Sequence, residues 1–280
     1  MIRLCARAVL LAALIGSGPL HAQTPPQPDP APDAAPAPPP QESDEPPSDP
    51  SLGSDIRAYF TAPLHWDKGN WAWFGGSLLA IGAARHFDTQ VRTHFIAKEG
   101  PTVGANSEDL ADVVPTVAVL GGTWLYASLI DDRAGHLEAR EMLEAAGLST
   151  VTAEVFKFAA GRETPYQTSD PSEWGKGGNS FPSLHSTAAF AVGTVLAESG
   201  NDEYRWIRRV LGYGLGFITS YERLKHNDHW LSDTVAGAAL GAASAQFVMN
   251  RHGGAADVGG RFALVPVAGG AILTYRLTLQ

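Results

Sequence analysis

Six apolar segments of helical length, rich in alanine and glycine, lie between residues 71 and 250 of this 280-residue chain. A glycine within a helix costs about 1 kcal/mol of helix propensity relative to alanine, and it is usual where two helices approach closely. The pattern therefore predicts an all-α fold, a helical bundle of about six core helices. The predicted core helices span residues 71–87, 117–130, 137–160, 186–198, 204–221 and 231–250.

The C-terminal residues 255–280 have a different pattern. Two apolar runs, 261–267 and 271–279, flank Gly269 and Gly270, which is typical of two β-strands around a glycine turn. We therefore predict a short C-terminal β-hairpin. Because an isolated hairpin is only marginally stable in water, it should pack on the helical body or on a partner.

The N-terminus has the organisation of a secretory signal peptide over residues 1–22. Arg3 and Arg7 precede the apolar run 9–15, and an alanine ends a plausible cleavage site. A retained membrane anchor is the alternative, although the uncharged run is shorter than the ~20 residues that span a bilayer. The single cysteine, Cys5, lies inside this segment. We therefore predict a periplasmic or secreted protein whose mature chain has no disulfide.

Residues 23–52 are predicted to form a disordered linker. Between residues 24 and 50 there are 12 prolines and 6 acidic residues, and neither lysine nor arginine. Such a segment buries too little apolar surface to offset its ordering entropy. Its 6 acidic residues contribute to the formal net charge of −9 of the whole chain. No basic stripe is present, and we predict no nucleic-acid partner.

The run from residue 113 to residue 130 has no charged side chain and reaches the length of a membrane-spanning helix. It nevertheless contains proline, glycine, threonine and serine, and the mean hydropathy of the whole chain is −0.07. An integral protein would normally show several unambiguous spans. We therefore interpret the run as a buried core helix, while peripheral or integral membrane association stays open.

His229 and Asp233 are four positions apart, a spacing that places two helical side chains on one face. The carboxylate of Asp233 can then accept a hydrogen bond from one ring nitrogen of His229, leaving the other to attack an electrophile. Arg223, six positions before His229, can offer a forked donor to phosphate oxygens. Taken alone, the pair would also fit a helix-capping histidine with a surface aspartate.

A second histidine, His185, follows Pro182 and Ser183 at the predicted start of an alanine-rich helix. Ser183 is a candidate helix cap, and the backbone N–H groups at such a start point at any anion bound there. His185 would stand beside that anion and could protonate a leaving oxygen. A buried histidine that bonds to a backbone carbonyl is the alternative.

Two cations, Lys157 and Arg162, lie around the predicted end of a helix near Gly161, shortly before Pro165. Both could reach a phosphate bound beside the helix end. They could equally solvate the C-terminus of that helix, where positive charge is favourable.

Together these three segments resemble the superfamily of type 2 phosphatidic acid phosphatases, bacterial class A acid phosphatases and vanadium haloperoxidases. That superfamily carries three ordered motifs: Lys, six residues, Arg-Pro; then Pro-Ser-Gly-His; then Ser-Arg, five residues, His, three residues, Asp. The specific part of the resemblance is confined to residues 157–233, within a broader one over 71–250. The matching positions are Lys157 and Pro165 in the first motif, Pro182, Ser183 and His185 in the second, and Arg223, His229 and Asp233 in the third.

The resemblance implies a metal-independent phosphatase that hydrolyses a phosphomonoester or pyrophosphate through a phosphohistidine intermediate. The substrate would be a lipid phosphate or a small soluble ester. No metal or cofactor is expected, because fixed cations and helix N–H groups would stabilise the transition-state charge. His226, Asp228 and His229 could also be interpreted as metal ligands, but the arginine and lysine nearby favour an anion.

The resemblance also implies a role for each matched residue. His229 would be the nucleophile, Asp233 would orient it, and His185 would be the general acid. The groups expected to hold the phosphate oxygens are Lys157, Arg223, Ser183 and, as a substitute, Arg162.

Three positions depart from the superfamily's motifs. Thr164 stands where the superfamily has arginine, and the loss of one such donor costs ~3 kcal/mol of transition-state stabilisation. Arg162, two positions away, is the candidate to compensate. Leu184 replaces a glycine and narrows the pocket, and Glu222 replaces a serine and can pair with a nearby cation. We expect an active enzyme with an altered substrate preference or a reduced rate.

Two other functions are compatible with the same residues. A vanadate-dependent haloperoxidase would hold vanadate in the same pocket, although the arginine absent at Thr164 weakens that binding. A degenerate phosphate-binding or envelope-scaffold protein would account for Thr164 and Leu184 without any turnover.

Overall fold

The computed structural model describes residues 51–99, 108–200, 204–252, 260–267 and 270–277. These residues form eight α-helices, one short 3-10 turn at Ala62–His65 and two strands. The helices are α1 (Leu52–Thr61), α2 (Lys68–His86), α3 (Asp88–Glu99), α4 (Glu108–Ile130), α5 (Arg133–Ala160), α6 (Leu184–Glu198), α7 (Arg205–Lys225) and α8 (Leu231–His252). The predicted signal peptide and nearly all of the predicted linker lie outside the described residues.

The all-α prediction is confirmed for the helical part of the chain, because each of the six predicted core helices is present. Two further helices, α1 and α3, were missed. Both carry a mixture of polar and apolar side chains, which gives a weaker periodic signal than the alanine-rich segments. Helix α1 begins at a serine cap, where Oγ of Ser51 accepts a hydrogen bond of 3.3 Å from the N–H of Ser54.

The C-terminal backbone runs as two antiparallel strands, β1 (Gly260–Val267) and β2 (Gly270–Leu277), with Gly260 opposite Leu277. Their side chains lie outside the described residues. The packing of the hairpin expected at 255–280 therefore stays a prediction.

Helix α6 occupies the centre of the bundle and packs against α5, α7 and α8. Glycines bring the helices together: a Cβ on Gly193 would lie 2.2 Å from the carbonyl oxygen of Gly212 in α7. A Cβ on Gly241 in α8 would lie 2.2 Å from the carbonyl oxygen of Thr187 in α6. Such contacts exclude any larger residue, so the glycines fix how closely the three helices approach. The buried apolar core comprises Met142, Ala145, Leu148, Ala191, Val192, Val195, Ala245, Val248 and Met249.

The prediction of a buried core helix at residues 113–130 is wrong. By length and composition, α4 is the one helix in the described part of the chain that could cross a bilayer, and only 11% of its Val113–Ile130 window is buried. Apolar side chains on other helices are exposed as well. They include Trp71, Trp73, Leu78 and Leu79 on α2, Val155, Phe156 and Phe158 on α5, and Trp206, Leu211, Phe217 and Ile218 on α7. A soluble monomer rarely exposes so much apolar surface.

Candidate active site

The ends of four helices supply the residues that the motifs single out. Lys157 lies in the last turn of α5, whose C-cap residue Gly161 has a left-handed conformation with φ 52°. His185 is the second residue of α6, and Arg223 lies in the last turn of α7. His229 lies in the turn between α7 and α8. The charges of Lys157, Arg223 and His185 each lower the pKa of His229, so these three groups lie near its ring.

The imidazole of His229 is buried and has a defined tautomer. Its Nδ1 lies 2.7 Å from the carbonyl oxygen of Ser180. Because a carbonyl only accepts hydrogen bonds, Nδ1 must carry the hydrogen, and Nε2 keeps its lone pair. Burial is the first cause that lowers the pKa of His229 well below its usual value, and the charges of Lys157 and Arg223 act in the same direction. The ring is therefore uncharged at neutral pH.

Asp233 does not bond directly to His229, in contrast to the expected contact. Its Oδ2 lies 3.9 Å from Nδ1 of His229 and accepts hydrogen bonds from Oγ of Ser180 at 2.5 Å and from the N–H of Trp230 at 2.9 Å. The reason is that α8 begins at Leu231, so His229 precedes the helix and the four-residue helical spacing does not apply. Burial raises the pKa of Asp233 to about 6, against the opposing charge of Arg162.

Arg162 is fully engaged within the protein, which contradicts its predicted role as a phosphate ligand. Its guanidinium donates to Asp233, to Oδ2 of Asp88 at 2.7 Å and to Oγ of Ser232 at 2.8 Å. It also donates to the carbonyl of Pro171 and is only 1% exposed. The charge lies 4.6 Å from the ring centre of Trp174. Arg162 therefore joins two buried carboxylates and has no donor left for a substrate.

The other predicted phosphate ligands lie near His229 with partners of their own. Lys157 is half-buried and donates to the carbonyl of Asn179. A guanidinium nitrogen of Arg223 lies 2.7 Å from Oδ2 of Asp228. Ser183 caps α6 as expected, its Oγ accepting from the N–H of Ser186 at 3.4 Å. That contact fixes the first turn of α6, where the free N–H groups of a helix start are found.

Two of the residues that depart from the motifs, Thr164 and Glu222, bond to side chains close to them in the chain. Thr164 is buried, and its N–H and Oγ1 donate to Oε1 of Gln167 at 3.0 and 2.9 Å. Glu222 pairs with Lys225 at 3.4 Å, as expected of a carboxylate beside a cation. Since Arg162 is committed elsewhere, the guanidinium absent at position 164 is not replaced by it.

Sequence reasoning missed two residues that build the site, Asp88 and Ser180. Asp88, at the start of α3, accepts from the N–H of Ser232 at 2.8 Å and is 1% exposed. Ser180 holds His229 with its carbonyl and Asp233 with its hydroxyl. Neither residue belongs to a motif, and the only sequence signal was the position of Ser180 two residues before Pro182.

Among the described residues, the grouping of histidine and carboxylates that has the spacing of metal ligands lies elsewhere. It consists of Asp55, Glu144 and His252, at the opposite end of α8 from His229. The motif cluster instead combines two cations with an uncharged histidine. Such an arrangement can attract an anion and present a nucleophilic nitrogen to it.

Comparison with known proteins agrees with this site. Residues 138–255 match the family model of the PAP2 superfamily. The matched range contains all three motif segments, which confirms the resemblance inferred from the sequence. A stretch of 67 residues is 37% identical to the Lipid A 1-phosphatase of Porphyromonas gingivalis and covers 24% of this chain and 15% of that relative. No solved structure matches the chain.

Proposed function

We propose that this protein is a phosphatase that transfers a phosphoryl group from its substrate to His229 and then to water. The observation that carries the proposal is the state of His229. Its imidazole is uncharged, its Nδ1–H is held by the carbonyl of Ser180, and its Nε2 keeps a lone pair. A histidine in that state is a nucleophile rather than an acid.

The chemical steps follow from the groups around that nitrogen. Lys157, Arg223 and the N–H groups at the start of α6 would bind the phosphate oxygens and neutralise their charge. Nε2 of His229 would bond to phosphorus as the bond to the ester oxygen breaks, with His185 donating a proton to that oxygen. A water molecule, giving a proton to His185, would then break the phosphorus–nitrogen bond and release phosphate.

Asp233 has a positioning role in this proposal. It bonds to the hydroxyl of Ser180, whose carbonyl in turn holds Nδ1 of His229. Arg162 anchors Asp233 from the other side. The carboxylate therefore fixes the ring through the backbone of Ser180, at one remove from the reacting atoms.

A phosphorylated lipid is the substrate class that the surface favours. Helix α4 combines the length and composition of a bilayer-crossing helix with an exposed surface, and the apolar side chains on α2, α5 and α7 are exposed too. A membrane would cover this surface and present lipid headgroups beside it. The partial relative is a Lipid A 1-phosphatase, which supports the same class.

The signal peptide expected at residues 1–22 completes the proposal with a periplasmic location. Export would bring the apolar helices to a membrane from its periplasmic side. Separating periplasmic from membrane fractions of cells that make the protein tests this, and recovery in the membrane fraction is the expected result. Recovery entirely in the soluble fraction would leave a small soluble ester as the substrate.

The central experiment measures phosphate release by the purified protein from a phosphorylated lipid in detergent micelles and from a soluble chromogenic ester. His229→Gln should lower kcat by on the order of 10³-fold or more, as expected when a covalent nucleophile is lost. His185→Gln should lower it by about 10² to 10⁴-fold. Wild type treated with a labelled substrate should retain acid-labile label on His229.

His94→Gln is the matched control, because His94 is an exposed histidine of α3 outside the motif cluster. It should retain wild-type activity. Equal activity of His229→Gln and wild type would contradict the proposal. Bromide oxidation that arises only after vanadate is added, without phosphate release, would instead indicate the haloperoxidase.

A further inference from the structure

A second buried cluster joins three helices at the far end of α8. It combines Asp55 of α1, Glu144 of α5 and His252, the last residue of α8. Nε2 of His252 lies 3.2 Å from Oε2 of Glu144 and 3.3 Å from Oδ2 of Asp55. The side chains of Asp55, Glu144 and His252 are 0%, 5% and 1% exposed. These groups converge on one point inside the protein.

The hydrogen bonds of this cluster are incomplete. Arg251 donates to Oδ1 of Asp55 at 2.6 Å, but Oδ2 of Asp55 and Oε1 of Glu144 are buried without a hydrogen-bond donor among the described residues. Nε2 of His252 can carry only one hydrogen, so it cannot satisfy both carboxylates at once. Buried carboxylate oxygens of this kind normally have a partner, and a metal ion is one that can serve two carboxylates together.

We propose that Asp55, Glu144 and His252 bind a divalent metal ion, with Zn²⁺ as the best fit. Zinc accepts one imidazole nitrogen and carboxylate oxygens at about 2.0 to 2.2 Å in a tetrahedral arrangement. Ligand atoms of such a tetrahedron are about 3.3 Å apart by geometry. The separations of 3.2 and 3.3 Å around Nε2 of His252 match that spacing. Water would complete the coordination.

The metal would have a structural role. It would tie α1 to α5 and to the end of α8. A hydrogen bond of 2.7 Å between Tyr59 and Ser244 already joins α1 to α8. The site lies roughly 28 Å along α8 from Asp233, given the rise of about 1.5 Å per residue. It is therefore independent of the phosphate chemistry proposed at His229, and either proposal can fail without the other.

The test uses the full chain, stripped of metal with a chelator and returned to metal-free buffer. Isothermal titration with Zn²⁺ should reveal one equivalent bound, and the midpoint of thermal unfolding should rise on addition. His252→Gln and Glu144→Gln should each lower the affinity at least tenfold and remove most of the rise. His94→Gln controls for adventitious binding by an exposed histidine and should behave as wild type.

The two variants are close in shape to the residues they replace, and circular dichroism at low temperature establishes that they are folded. Titration with Mg²⁺ should give weaker binding, because that ion requires octahedral oxygen ligands. Zn²⁺ uptake that neither variant reduces would overturn the proposal. So would a wild-type unfolding temperature that Zn²⁺ leaves unchanged while His252→Gln lowers it, since the cluster would then be an ion pair.

Discussion

Helix α8 has a buried cluster of histidine and carboxylates at each end, and the two clusters differ in how their oxygens are satisfied. At the start of the helix, both oxygens of Asp88 and both of Asp233 accept hydrogen bonds. At its end, Asp55 and Glu144 each keep one buried oxygen to which no group in the described part of the chain donates. The first cluster also contains a fully engaged arginine, Arg162, between its two carboxylates.

This difference matches the two proposals, which place a reaction at the first cluster and a bound metal ion at the second. In the first cluster the hydrogen bonds fix the turn that holds His229, and in the proposed reaction the remaining Nε2 attacks the substrate. Groups that are already in place need no reorganisation when charge develops, which is the basis of electrostatic catalysis. In the second cluster the unsatisfied oxygens themselves are the feature that points to a ligand.

Arg162→Met is expected to have the largest effect on stability, because it removes the cation of the first cluster. Removing the arginine leaves Asp88 and Asp233 buried without their shared counter-charge. Loss of one partner from a buried ion pair typically destabilises a protein by about 3 to 5 kcal/mol. Urea or thermal unfolding should detect this loss, and phosphate release should fall with it because Asp233 is no longer held.

Adding Asp88→Asn to Arg162→Met should recover part of that stability, because one of the two unpaired charges is then removed. The comparison of single and double variants isolates the coupling between the two residues. An Arg162→Met protein as stable as wild type would mean that this arginine does not neutralise the carboxylates. It would also free Arg162 for the phosphate role first predicted from the sequence.

Glu141→Gln, near the second cluster, is expected to change the free energy of unfolding by less, and to raise it rather than lower it. Glu141 is 1% exposed, and burial, together with the charges of Glu138 and Glu144, raises its pKa to about 7. The raised pKa means that the folded state favours the protonated carboxyl. The free energy of unfolding is therefore highest below about pH 4.5 and falls as the pH rises through about 7, where the buried carboxyl becomes charged. Glutamine removes the buried charge, so the variant should be more stable than wild type at pH 8 by up to about 3 kcal/mol.

Unfolding measured at pH 4.5, 6 and 8 checks the sign for Glu141→Gln. The advantage of the variant should be largest at pH 8 and vanish near pH 4.5. Glu154→Gln, at an exposed position of the same helix, is the matched control and should show no such trend. A Glu141→Gln protein less stable than wild type at pH 8 would contradict the expectation.

The first cluster shows how far the sequence could predict the site. Motif spacing indicated that Lys157, His185, Arg223 and His229 meet, because anion sites form where helix ends converge. The partners of Arg162 could not be predicted in the same way. Asp88 and Asp233 lie 74 and 71 positions from it, and no local pattern encodes a contact at that separation.

Helix α4 shows a second limit of the sequence, which concerns burial. An apolar helix of 18 residues has the same composition whether protein or lipid surrounds it. Its helical nature was therefore predictable and its environment was not. The exposure of Val113–Ile130 depends on which helices pack beside it, and that depends on the close contacts of α6 with α5, α7 and α8.

Lys157→Met is expected to have the smallest effect, a shift in the pKa of His229. Burial and the charge of Lys157 are the first two causes of the lowered pKa of His229, so removing the charge of Lys157 should raise that pKa toward its usual value.

Nuclear magnetic resonance titration of labelled histidines measures this shift without reference to activity. The titration of His229 should not move in Arg57→Met, which removes an exposed charge of α1. Activity of Lys157→Met should fall even where His229 stays neutral, because a cation proposed to bind the phosphate is lost as well. A His229 titration unchanged by the substitution would mean that Lys157 is screened from the ring, and the anion site would then depend on Arg223 and α6.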